Sequence, residues 1–157
     1  MAPLTPANAF PTAVIGKVFL ARARHKIAVG DLSMVLRAVA AARRQVGAGL
    51  LYWPVIEACS EMPPPDVRLA MQQATTTLLS LCESMTVIVL GVGVKASLMR
   101  TGIRGLSLVA GHRGKVRVVE SLAAAVAAAN DSSIHLAEIE NAAGALGIQQ
   151  AHQSAAV

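Results

Sequence analysis

The sequence predicts an α/β domain built on a single mixed, mainly parallel sheet with helices mostly on one face. Three observations carry that class. Thr86 to Ala129 reads without interruption as strand, glycine turn, amphipathic helix, basic turn, second strand and short helix. Leu50 to Ile56 is a continuous apolar run directly after Gly47 and Gly49, as expected of a strand buried on both faces. Helical patterns separate these runs, and strands alternating with helices need crossover connections, which lay helices against a parallel sheet.

Each element follows in order. Val14 to Ala23 is rich in β-branched residues and interrupted at Gly16 and Lys17, which predicts a strand or tight hairpin at a sheet edge. Asp31 is the expected N-cap of a first helix carrying Leu32, Val35, Leu36, Val39 and Val46 at helical spacing, ending near Gly47. Pro54 conflicts with a central strand, so pairing should weaken in the second half of Leu50 to Ile56. Glu57 to Pro65 reads as a loop, and Pro65 or Asp66 should cap the next helix, with Val67, Met71, Ala74, Leu78 and Leu81 on one stripe.

Thr86 to Leu90 is a buried strand, Gly91 and Gly93 turn the chain, and Met99, Ile103, Leu106 and Val109 form the inner stripe of a third helix. Lys115 to Val119 alternates charge with valine as a strand with one exposed side or edge would. Leu122, Val126 and Ala129 face the core from the helix after it, and a last weakly amphipathic helix spans about Ser133 to Leu146. The expected organisation is a flexible arm over 1–12, an α/β domain over 13–130, and a C-terminal helix with a disordered tail over 131–157.

Composition bounds the function. A chain of 157 residues suits one domain, and 54% hydrophobic with only 3% aromatic residues implies an aliphatic core. The longest strongly apolar run, Met85 to Val94, contains Gly91 and Gly93 and is about half the ~20 residues of a spanning helix, so no membrane insertion is expected. The first twelve residues contain Pro3, Pro6 and Pro11 but no Lys or Arg, unlike a signal peptide; the expected location is cytoplasmic. Cys59 and Cys82 form no CxxC pair and are expected to be reduced bystanders.

The order of elements resembles the STAS domain, the fold of anti-sigma-factor antagonists, and more closely the small single-domain STAS-like proteins of unknown function in myxobacteria and their relatives. The phrases carrying the resemblance are LLYWPVIEACSEMPPPDVRLAM and CESMTVIVLGVGVKASLMRTGIRGLSLVAGHRGKVRVVESLAAAVAAA, covering roughly Val14 to Asn130. In the antagonists, the strand matching Leu50 to Ile56 leads into a helix whose first residues carry a Ser phosphorylated by a partner kinase. The corresponding junction here runs from Ser60 and Glu61 through three prolines to Asp66, lacks the family's Asp-Ser-Ser-Gly phrase, and sets Ser60 before the prolines. The resemblance implies a noncatalytic bacterial regulatory module that binds a partner protein or a second copy of itself around Ser60, Glu61, Asp66 and Arg68.

A second candidate site is GVGVK. Gly91 and Gly93 could bring backbone amides to an anion at a helix N-terminus, with Lys95, Arg100 and Arg104 adding charge. The spacing completes neither a phosphate loop nor a dinucleotide fingerprint. The alternative function is therefore a small-anion or nucleotide sensor at this turn.

The chain carries a formal charge of +5, and no acidic residue lies between Glu83 and Glu120. That half should be electropositive, suiting an acidic regulatory protein. Arg117 is expected to approach Arg100 and Arg104, which share a helix face. The basic residues are not interleaved with aromatics, so no specific nucleic-acid binding is expected.

His25, His112, His135 and His152 complete no triad order and no HxxxH pair, so no catalytic residue, metal site or cofactor is assigned. Glu57 and Glu61 beside Cys59 read as solvated loop carboxylates rather than an acid/base pair. Tyr52 and Trp53, adjacent on a strand, should enter the core from opposite faces.

Overall fold

The computed structural model describes residues 10–23, 27–57, 63–109, 111 and 114–148, with side chains of 106–109 excepted. Expectations for the arm before residue 10, Cys59, Ser60, Glu61, His25, His112, His152 and the tail from Gln149 lie outside the described residues. One sheet organises the rest. Its strands stand in chain order: β1 (Thr12–Ile15), β2 (Val18–Ala23), β3 (Leu51–Glu57), β4 (Ser84–Leu90) and β5 (Val116–Val119). β1 is antiparallel to β2, closing a hairpin over Gly16 and Lys17, and every later neighbour is parallel.

Helices α1 (Val29–Val46), α2 (Pro65–Leu81) and α3 (Val94–Val109) connect the parallel strands. Because the strand order advances in one direction and such crossovers share one hand, all three fall on the same face. Val35, Val39, Leu78, Met99 and Ile103 accordingly pack there with Phe19, Tyr52, Val87 and Val89. Two short helices, α4 (Leu122–Ala129) and α5 (Leu136–Ala145), cover the other face, where Leu122, Ala125, Ile139 and Ala143 pack on Leu20, Trp53, Val55 and Ile88. The sheet is thus buried on both sides. Tyr52 and Trp53 enter opposite cores as their alternation requires, and Tyr52 sits 5.8 Å from the Phe19 ring in a tilted arrangement.

Several boundaries differ from the sequence reading. The cap of α1 is Ala28, not Asp31; Asp31 is the third helical residue, and its carboxylate accepts from the Ala28 N–H at 2.7 Å. α2 begins at Pro65 with Pro64 as cap, the fixed φ of proline suiting the first helical position, where no N–H is needed. β3 runs through Pro54 to Glu57. Its register with β2 is unbroken, whereas with β4 the pairs at Trp53 and Pro54 lapse, so the missing donor is absorbed on one side. Finally, the C-terminal helix is no appendage: Ile134, Ile139, Ala143 and Ile148 are buried in the same cluster as Trp53.

Candidate functional site

Because β2, β3 and β4 are parallel and each leads into a helix, their carboxyl ends and the first turns of α1, α2 and α3 share one end of the molecule. In open parallel α/β sheets ligands bind at this end, where the strand order reverses. Here the order runs straight from β1 to β5, so no such crevice forms and the end is an exposed surface of loops and helix starts. Both sequence-derived sites fall on it. At the β3–α2 junction, Asp66 and Arg68 are exposed in the first turn of α2, and Leu69 beside them is 57% exposed. Asp66 lies where the helix dipole favours a carboxylate. Ser60 and Glu61 precede the described part of this junction.

At the β4–α3 turn, Gly91 (φ +115°) and Gly93 (φ +99°) hold backbone conformations that L side chains rarely adopt. Lys95 is exposed just inside α3. Arg100 is turned inward: its Nη2 donates to the carbonyls of Val89 (2.8 Å) and Gly91 (2.6 Å), and its Nε also reaches Val89. Arg104 donates to the Val118 carbonyl of β5 at 3.1 Å. Both guanidiniums therefore pin α3 to the sheet while keeping their charge, because a carbonyl is neutral.

Arg117 does not join Arg100 and Arg104. It projects from the opposite face of β5 and donates to the Ala128 carbonyl in the last turn of α4 at 2.9 Å. Strand alternation explains the separation: Val116 and Val118 point toward α3, so Arg117 cannot.

The outer face of α3 carries a further feature. At 100° per residue, Val94, Leu98, Thr101 and Gly105 lie opposite the inward Ala96, Met99 and Ile103, with Gly102 alongside. Val92 (90% exposed), Val94 (77%) and Leu98 (67%) are the most exposed large hydrophobic side chains described. The Thr101 hydroxyl is satisfied within the helix by the Ser97 carbonyl at 3.0 Å. A Cβ added at Gly102 or Gly105 would meet nothing within 4 Å. Each glycine costs an exposed helix interior about 1 kcal/mol relative to Ala. No contact among the described residues explains that cost.

A salt bridge absent from the sequence reading joins β2 to β3. Glu57, expected in a loop, is the last residue of β3, and its Oε1 accepts from Arg22 Nη2 at 2.8 Å. Arg22 Nη1 donates to the Leu146 carbonyl at 3.2 Å, and a Cβ on Gly147 would lie 2.7 Å from that nitrogen. The Nε of Arg22 is buried without a partner. The alternation of Val18, Leu20 and Arg22 was the available signal that Arg22 points to the same face as Val18 and Leu20, the one covered by α4 and α5.

The chemistry available is limited. Cys82, the residue capping the end of α2, is a buried free thiol pushed up to about 11 by burial, an effect the Arg43 charge partly opposes. It is protonated at neutral pH and therefore a poor nucleophile. Burial also raises the Tyr52 hydroxyl, with the nearby Cys82 adding to the effect. Among the described residues no three His, Cys, Asp or Glu side chains cluster as metal ligands, and no helix is long and apolar enough to cross a membrane. No family model, curated protein or solved structure matches the chain.

Proposed function

We propose that this protein is a cytoplasmic, noncatalytic interaction module of STAS-like type, which binds a regulatory protein or a second copy of itself through the segment from Glu57 to Asp66 and the start of α2. The observation that carries this reading is the β3–α2 junction at the carboxyl end of the sheet, where Asp66, Arg68 and Leu69 stand exposed side by side. The element order on which the resemblance rests, a hairpin followed by alternating helices and parallel strands, agrees with it.

The experiment is affinity capture with the full chain against Asp66→Ala combined with Arg68→Ala. A specific partner, or self-association, that weakens in the double variant supports the reading; capture unaffected by it removes the junction. The sensor alternative at Gly91 to Lys95 has less in its favour, because Arg100 engages the Val89 and Gly91 carbonyls. A melting temperature raised by nucleotide or polyphosphate, and no longer raised in Arg100→Ala, would restore it.

A further inference from the structure

We infer that the outer face of α3 is a docking surface for an amphipathic helix of a partner protein, one with an apolar ridge and acidic flanks. An exposed helix ordinarily turns charged residues to water. Here the sector opposite the core is Val94, Leu98, Thr101 and Gly105, with Gly102 alongside and Val92 projecting from the preceding turn.

The two glycines are the telling residues. They weaken α3 and face open space, so nothing among the described residues requires them. A helix crossing this face does: a bare backbone lets a second helix approach closely, while Val94 and Leu98 enter its grooves. The Thr101 hydroxyl, already bonded to Ser97, makes no polar demand on the visitor.

Charge selects the occupant. Lys95 and Arg104 lie on opposite sides of the stripe, and no acidic residue occurs between Glu83 and Glu120. A second copy would set these cations against each other. Glutamates flanking an apolar ridge would instead meet Lys95 on one side and, on the other, the exposed Arg104, which keeps its charge although its Nη2 donates to the Val118 carbonyl. A flat anionic membrane would use the charge and the exposed valines but gains nothing from two recessed glycines, so the geometry favours a helix.

This surface is separate from the β3–α2 junction and extends the interaction reading to a second face. The test displays helical peptides of about 18 residues, with a fixed leucine and alanine ridge and randomised flanks, against the full chain. Asp and Glu should be enriched on both flanks. The selected peptides should bind at least about tenfold more weakly to Gly102→Leu and to Leu98→Glu. The double variant Gly102→Ala, Gly105→Ala should melt at a higher temperature and yet bind more weakly, a combination that simple damage to the fold cannot produce.

Asp66→Ala with Arg68→Ala should leave peptide affinity unchanged, which keeps the two sites distinguishable. The proposal is overturned by selection without acidic enrichment, by unaltered affinity in the glycine double variant, or by binding to phosphatidylglycerol vesicles in place of peptides. If Gly102→Leu does not fold, Lys95→Glu, exposed and remote from the core, takes its place with the same expected loss.

Discussion

Arg22 and Glu57 meet at 2.8 Å across the boundary between β2 and β3, close to the end of α5, whose Leu146 carbonyl takes a second donor from the same guanidinium. The two side chains are only 19% and 27% exposed, so solvent screens them less than a surface pair. Removing the acid alone leaves a half-buried cation with an already orphaned Nε. Glu57→Ala is therefore expected to cost about 2 kcal/mol, below the range for fully buried pairs, whereas Arg22→Met combined with Glu57→Leu, which removes both charges, should be close to neutral. Urea denaturation of both variants measures the asymmetry; equal losses would contradict it.

Alkaline stability reports on Cys82 and Tyr52. Burial raises both groups, Cys82 to about 11, so the folded protein holds these protons more tightly than the unfolded chain does. Their contribution is complete below the unfolded thiol value and is lost as pH rises toward the folded one. Unfolding free energy should thus decline between about pH 8.5 and pH 11, less steeply in Cys82→Ala. Denaturant titrations at stepped pH provide the measurement, and an unchanged slope in the variant would remove Cys82 as a cause.

Acid stability reports on Asp131. Its carboxylate accepts from Lys17, which reaches it from the β1–β2 turn, and from the backbone N–H and hydroxyl of Ser133 at 2.9 and 2.6 Å. These bonds, that to Lys17 foremost, hold the carboxyl well below the usual range. A depressed group contributes above its unfolded value, and the contribution is lost as pH falls from about 4. Asp131→Asn should melt at a lower temperature than the wild type at neutral pH, with the gap narrowing steadily as pH falls below about 4. A gap independent of pH would mean that ionisation plays no part.

Local patterns made the framework legible in the sequence. Tyr52 and Trp53 needed only strand alternation to be assigned to opposite cores, and the glycines at 91 and 93 marked the β4–α3 turn without ambiguity. Long-range pairing was less accessible. Glu57 looked like the start of a loop because its extension into β3 depends on Arg22, 35 positions earlier. Arg100, Arg104 and Arg117 read as one basic cluster because a charge pattern does not reveal that each head group is turned to a backbone carbonyl. The inner stripe of Met99 and Ile103 was legible at helical spacing, but a polar outer side of Ser97, Arg100 and Arg104 was expected opposite it, and the exposure of Val94 and Leu98 there became visible only with the sheet in place.

Strands laid down in chain order also dictate how the molecule can be assembled during synthesis. Each parallel strand finds its neighbour in the one made just before it, so the growing sheet enlarges at a single margin and its first three helices settle as they emerge. The indole of Trp53 has no such early cover. Its side of the sheet stays bare until α4 and α5 fold back over it, and a nascent chain halted near Ser121 would present that aliphatic surface to chaperones or to other unfinished copies.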